Sequence, residues 1–345
     1  MAYLVLSNGM AFEGQRAGAK GACTGELVFT TGVVGCLETI TDPAYAGQIV
    51  LQTFPFVGNY GVNMEDAEGE PLLSGYVARS LCDTPSNFRC GETLESFLLR
   101  KGIPALCGVD TRELTRIVRD QGPITAMICD EIPADMPEAV IVRAGCTEAA
   151  LYPAAGEKKF SVALVDFGVK KSVVTALCSL GCEVKVVPQD TSAEAILSAR
   201  PDGVVLSPGP GDPAQMTEAL SLATLLIGKA PVLGLGLGHQ LLALAMGGST
   251  VRMPCGHRGS NHPVKDVNGS RTYITSQNHG YAVEALPKGA ELLFRNVNDG
   301  TCEGLFYPAQ QCLSVQFEPD TTPGSIGTFF LYERFIAMMG GNADA

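Results

Sequence analysis

The stretch Pro231-Val-Leu-Gly-Leu-Gly-Leu-Gly-His-Gln240 constrains this chain more than any other. An apolar strand runs into a glycine-rich turn and then directly into the helical pattern Leu241-Leu-Ala-Leu-Ala-Met246. Such a strand–turn–helix junction is how α/β enzymes raise a nucleophile on a sharp elbow with backbone N–H groups beside it. The elbow position, where Cys or Ser belongs, is Gly236. The frame of a nucleophilic enzyme is present without a side chain to attack anything.

The texture on either side of this junction fixes the fold class. From Ser161 onward strands and helices alternate: Val162-Ala-Leu-Val-Asp-Phe, a helix beginning near Lys170, Cys182-Glu-Val-Lys-Val-Val-Pro, a helix through Ile196, then Gly203-Val-Val-Leu-Ser-Pro. Alternation at this spacing predicts a doubly wound parallel sheet of the flavodoxin-like kind. Ligands of such sheets bind beyond the carboxyl ends of the strands, where Ser207-Pro-Gly-Pro-Gly-Asp212 and Gly234–Gly238 both fall. The first third instead carries short β signals, Leu27-Val-Phe-Thr-Thr and Gln48-Ile-Val-Leu-Gln-Thr-Phe, then helices over Thr93–Lys101 and from Asp110, whose side chain can cap. This predicts a β-rich, mixed α/β N-terminal domain over 1–130. Residues 131–160, rich in Ala, Pro and Glu, read as a partly helical linker without a strong strand, and 161–345 as the second domain.

Composition narrows the partners. The excess of 36 acidic over 24 basic residues, with no basic cluster, argues against nucleic acid. No apolar run reaches the roughly 20 residues that span a bilayer, and the N-terminus has no targeting character, so a cytoplasmic protein without a membrane partner is expected. The twelve cysteines are scattered through apolar contexts and form neither a disulfide ladder nor a zinc pattern, so no metal site is expected.

Several motifs then converge. Asp166-Phe-Gly-Val-Lys170, Leu206-Ser-Pro-Gly-Pro-Gly-Asp-Pro213, Gly256-His-Arg-Gly-Ser-Asn-His-Pro-Val264, Thr275-Ser-Gln-Asn-His-Gly-Tyr-Ala-Val283 and Ser314-Val-Gln-Phe-Glu-Pro-Asp320 follow the order of a class I (triad) glutamine amidotransferase domain. In the first third, Gly25-Glu-Leu-Val-Phe-Thr-Thr-Gly32, Glu38-Thr-Ile-Thr-Asp-Pro-Ala-Tyr-Ala-Gly-Gln-Ile-Val50 and Gly108-Val-Asp-Thr-Arg-Glu-Leu-Thr115 resemble the small subunit of carbamoyl-phosphate synthase. The resemblance covers nearly the whole chain. It implies that the family member hydrolyses glutamine and passes ammonia to a large subunit, which makes carbamoyl phosphate from bicarbonate and ATP for pyrimidine or arginine synthesis. It also implies that ATP and Mg belong to the large subunit and that this chain holds no cofactor.

Amide hydrolysis of this kind needs a thiolate, a His to manage protons, a carboxylate to orient it and N–H donors for the oxyanion. The resemblance places the Cys at Gly236 and the terminal His-Pro-Glu at Glu318-Pro-Asp320, so no catalytic residue is intact. It also places a glutamine-holding Ser at Ala44. The substrate-binding positions it carries over unchanged are Gly209, Gly211, Leu237, Gln240, Asn278, Gly280 and Tyr281. Each has a structural alternative: turn glycines at Gly209 and Gly211, a capping or solvent-facing Gln240, and structural hydrogen bonding by Asn278 and His279 in a buried loop. His239, His257, His262 and His279 are read as structural, and Cys255, Cys302 and Cys312 as lying off the elbow. The Glu318 carboxylate is expected to disfavour ionisation of any thiol restored at 236.

Three functions remain open at this level. One is a small subunit with a silenced glutaminase, docked on its large subunit. The second is a non-enzymatic glutamine sensor or regulatory scaffold. The third takes Gly234-Leu-Gly-Leu-Gly238 as a dinucleotide fingerprint, but the first acidic residue after the turn is Asp266, too far on to hold a ribose.

Overall fold

A computed structural model describes residues 1–139, 142–319 and 327–341. Two compact units divide at Arg143/Ala144.

In the first unit, seven strands close into a barrel in the order Ala2–Leu6, Ala11–Gly18, Pro104–Cys107, Gly75–Val77, Gln48–Gln52, Cys23–Thr30, Ile124–Cys129. Pairing is mixed: Cys23–Thr30 runs parallel to Gln48–Gln52, while Ile124–Cys129 runs antiparallel to both Cys23–Thr30 and Ala2–Leu6. Alternation along the strands sends Leu27, Ile49 and Leu51 to one cluster, with Leu114 and Val118 of helix Thr111–Gln121. Val28 and Val50 go to the other, with Phe97 and Leu98 of helix Leu94–Arg100. Both helices start where the capping residues predict. Asp110 accepts from the Glu113 amide at 2.9 Å and Thr93 from the Ser96 amide at 3.2 Å, each satisfying a first-turn donor.

The second unit is built on one ten-stranded sheet. Its parallel half has the order Cys182–Pro188, Phe160–Asp166, Gly203–Leu206, Val232–Leu235, Cys312–Val315. In chain order this is 2-1-3-4-5, the flavodoxin-like arrangement. Both faces are covered. Val162 and Leu164 pack with Val173 and Leu177 of one helix and Tyr332 and Phe335 of another. Ala163 and Val165 face the opposite cluster with Ile196, Leu222, Leu241 and Leu242. Continuous apolar strands follow from this two-sided burial.

Two features depart from expectation. The span 131–160 has no helix among its described residues, and Ala150–Tyr152 is a strand, antiparallel to Cys182–Pro188. Its side chains are exposed. Backbone groups at the open sheet edge hold it, a force that leaves no hydrophobic pattern. Beyond Cys312–Val315 the sheet also continues antiparallel through Cys302–Tyr307, Thr272–Val283, Thr250–Asp266 and Glu291–Asn296. Asn278 and His279 therefore lie on a strand rather than in a buried loop.

The three glycines of the central turn serve different ends. A Cβ at Gly238 would sit 2.2 Å from the Leu206 carbonyl oxygen, and one at Gly234 would sit 2.7 Å from the Gly238 carbonyl oxygen. These two let helix Leu237–Ala245 lie directly on its strands. Gly236 has φ 53° and ψ −108°, the sharp turn of an elbow, which glycine adopts at no steric cost. Packing and turning account for the whole glycine run, and the dinucleotide reading loses its premise.

Substitutions separate these roles. Gly236→Ala should destabilise by about 1–3 kcal/mol through backbone strain. Gly238→Ala should cost at least as much, by forcing a helix off its strand. Urea denaturation of both variants checks this; a stabilised Gly236→Ala would mean that the turn is relaxed.

Candidate functional site

The carboxyl ends of strands Gly203–Leu206, Val232–Leu235 and Cys312–Val315 converge on Gly236, whose amide donates to the Val315 carbonyl at 3.0 Å. Leu237 opens the following helix, so the helix N-terminus with its unsatisfied amides points where an oxyanion would form. The Gly238 amide is taken by the Ser207 carbonyl at 3.2 Å, which ties the turn to the glycine–proline loop. In that loop Gly209 lies against the Phe167 backbone, where a Cβ would be 2.6 Å from the carbonyl oxygen, and Gly211 has φ +109°. Both glycines thus have a structural requirement of their own.

The retained positions are linked through hydrogen bonds. Gln240 Nε2 donates to the Tyr281 carbonyl at 2.7 Å and to Gln316 Oε1 at 2.9 Å. Gln240 is buried rather than solvent-facing. Asn278, Gly280 and Tyr281 lie half-buried on one strand, and the Glu318 amide donates to Ser276 on that strand at 3.1 Å. Gly236, Leu237, Gln240, Tyr281 and Glu318 are therefore parts of one connected locus. Ala44 belongs to the other unit, in the turn Pro43–Tyr45, with its amide on Asp42 Oδ1 at 2.8 Å. Asp320 lies outside the described residues.

The largest surprise is at Glu318. Its carboxylate is not a bare charge facing the elbow: Lys170 Nζ forms an ion pair with Glu318 Oε2, and both residues are buried. Lys170 stands immediately before helix Lys171–Ser179, at the end of the Asp166-Phe-Gly-Val-Lys motif. Asp166 fixes that turn by accepting from the Gly168 and Val169 amides at 2.9 and 2.7 Å. The sequence reading quotes the motif but gives Lys170 no role. No local pattern marks it, because the adjacent Lys171 and Ser172 make it look like part of a solvated helix start. The expectation that Glu318 alone would raise the pKa of a thiol at 236 is corrected accordingly, since Lys170 offsets its charge.

Among the described residues at this turn, the potential nucleophiles are absent or engaged. Gly236 offers no side chain, and a Cβ there would lie 3.2 Å from Pro208 Cβ and 3.4 Å from its Cα. Ser207 Oγ is engaged, accepting from the Phe167 amide at 2.8 Å and donating to the Pro208 carbonyl at 2.7 Å. His239 Nδ1 and Ser314 Oγ are 2.8 Å apart, the spacing of a catalytic dyad, but both residues are fully buried. Desolvation pushes the His239 pKa down to about 3, so it stays neutral and packs. Burial likewise raises the Cys302 and Cys312 thiols to about 12, leaving essentially no thiolate.

Two measurements follow. Lys170→Met should destabilise by about 3–5 kcal/mol by removing the buried ammonium that faces Glu318, whereas Lys170→Met with Glu318→Leu should recover most of that loss. Denaturation of the singles and the double forms the cycle. His239, neutral when folded, has a pKa depressed from its ordinary 6.5 to about 3, so the unfolded chain binds one more proton between those values. Its stabilising contribution is present above pH ~6.5 and falls by about 1.4 kcal/mol per pH unit on acidification toward pH ~3. His239→Gln should flatten the acid limb of the stability profile by that slope.

Comparison with known proteins agrees with this architecture. Residues 4–128 match the family model for the carbamoyl-phosphate synthase small chain, CPSase domain, and residues 163–338 match that for glutamine amidotransferase class-I. The carbamoyl phosphate synthase small chain of Clostridium perfringens is 42% identical over 346 residues, covering 97% of this chain and 98% of that protein. The pyrimidine-specific small chain of Bacillus subtilis is 42% identical over 349 residues, covering 97% and 95%. With both domain models matched in order and relatives aligned along almost its full length, this chain belongs to the carbamoyl phosphate synthase small-chain family.

Proposed function

We propose that this chain is a carbamoyl-phosphate synthase small subunit whose own glutaminase step is lost. It docks on a large subunit that holds ATP and Mg and supports synthesis there from free ammonia. The observation that carries this reading is the elbow: Gly236 keeps the turn geometry of a nucleophile at φ 53° while supplying no nucleophile. The Lys170–Glu318 pair supports it, because the position of the base is occupied by a group already committed to a structural partner. An acyl-enzyme route therefore has neither its attacking atom nor its proton carrier. Family membership and the preserved two-unit architecture support retention of the docking role. No described helix is long and apolar enough to cross a membrane.

A non-enzymatic glutamine sensor is the competing reading, and the intact Gln240–Tyr281 wall favours it. That wall, however, is satisfied internally: the Gln240 side-chain amide already donates to Tyr281 and Gln316. Co-expression with a large chain separates the two. A subunit co-purifies with it and raises its ammonia-dependent carbamoyl phosphate synthesis, whereas a free-standing sensor does neither and binds glutamine alone.

The purified chain should release no glutamate from glutamine above a buffer blank; a turnover of ~1 per second would sink the proposal. Gly236→Cys alone should remain inactive, because it restores a thiol without a base. Gly236→Cys with Glu318→His should exceed the sum of the two singles, since nucleophile and base act as a unit. Glutamate release by the three variants decides the matter, and a well-working single Cys variant would overturn this account of Glu318.

A further inference from the structure

The antiparallel half of the second unit contains a buried polar cluster that the glutaminase frame does not use. His257, His279 and Glu303 come from three different strands, and one donor atom from each lies within 4.8 Å of those of the others. All three are buried, with Glu303 fully so. Their hydrogen bonds fix the tautomers. His279 Nδ1 lies 2.8 Å from the Tyr281 carbonyl, which can only accept, so Nδ1 carries the proton and Nε2 the lone pair. That lone pair faces Gln277 Oε1 at 3.1 Å, another acceptor. The Gln277 amide cannot profitably turn over, because its Nε2 donates to Glu303 Oε2 at 2.9 Å and to Thr275 Oγ1 at 3.1 Å. His257 Nε2 lies 2.8 Å from Asp299 Oδ2, and its Nδ1 lies 3.4 Å from Glu303 Oε1. Acceptors thus converge on one buried point, and the carboxylates of Glu303 and Asp299 raise the pKa of His257, so a proton on that ring supplies the positive charge when no metal is bound.

We infer that His257, His279 and Glu303 form a binding site for a divalent transition-metal ion, zinc by the chemistry of its donors. Two imidazoles and a carboxylate are a donor set that zinc takes, with His257 releasing its Nδ1 proton to solvent as the ion enters. The outer nitrogens are held as metal-bound histidines hold theirs, one by the Asp299 carboxylate and the other by the Tyr281 carbonyl. Glu303 is oriented in turn by Asn296 Nδ2 at 3.1 Å and Thr301 Oγ1 at 3.2 Å. The negative charges of Glu303 and Asp299 match a dication. A third imidazole stands alongside: the His262 ring centroid is 4.9 Å from that of His257, and its Nε2 is buried without a hydrogen-bond partner. Tetrahedral zinc at ~2.1 Å needs ligand atoms roughly 3.4 Å apart, so loading draws the strands together. The Tyr281 carbonyl bonds both His279 and Gln240, so the ion sits one residue behind the Gln240 wall. Its role is to pin that wall rather than to catalyse.

The test uses the full chain, first stripped with a chelator. Zinc titrated against a chromophoric competitor should bind saturably at one ion per chain and raise the thermal midpoint. Glu303→Gln, which keeps the side chain's shape, and His279→Ala should each weaken binding by at least tenfold. Asp299→Ala should weaken it about 10–100-fold through loss of orientation. The surface variant Glu218→Gln should bind as the parent does. Cobalt in the unaltered protein should give ligand-field bands without a thiolate charge-transfer band, a readout that no variant's misfolding can disturb. Absence of saturable zinc binding, a thiolate band from the cysteines, or unchanged affinity in a folded Glu303→Gln protein would each overturn the proposal. In the first case the convergence point is held by a proton on His257.

Discussion

The approach of helix Leu237–Ala245 to the sheet is the constraint on which the second unit depends. The helix lies so close that the Leu206 carbonyl occupies the space a Gly238 side chain would need. From this follow the turn at Gly236, the tie to the loop from Ser207 to Gly211, and the burial of the helix's own His239 and Gln240. Close packing of this kind tolerates little adjustment, because a rigid backbone on one side leaves nothing to give way.

The Lys170–Glu318 pair is the second buried constraint at this site. A buried lysine without a partner is costly, and a carboxylate across from it removes that cost. Imidazole, with an ordinary pKa near 6.5, would neutralise such an ammonium only weakly. Glu318 is therefore the better electrostatic partner for Lys170. His239 illustrates the same economy in reverse: buried and neutral, it contributes shape and one hydrogen bond to Ser314.

Much of this was legible in the sequence where apolar periodicity carries the structure. The strands Phe160–Asp166, Cys182–Pro188 and Gly203–Leu206 are buried on both faces, and their runs of Val and Leu announce it. The capped helices at Thr93 and Asp110 were equally plain. The long hairpin of Thr250–Asp266 with Thr272–Val283 was not. Its strands carry His, Arg, Asn and Gln inward and shift register between Arg252 and His257 and again between Gly259 and His262, so no two-residue alternation survives. The edge strand Ala150–Tyr152 was invisible because only backbone groups hold it. At the site, the missing nucleophile could be read from Gly236 alone, but the partner of Glu318 lies 148 residues away in sequence and only the fold brings it near.

On the proposal that the glutaminase step is lost, Gly236 also gives that loss a direction in time. A side chain at φ 53° holds the backbone in a conformation that costs about 1–3 kcal/mol, and catalysis is the benefit that sustained it. Glycine releases that strain, and Lys170 then binds the carboxylate that replaced the base. Reversal would re-enter strain at one position and remove a buried carboxylate from Lys170 at the other, with no gain in rate until both changes are made. Single-step evolution faces a ratchet here: each substitution stabilises the fold locally, and the pair together closes the path by which either could be undone.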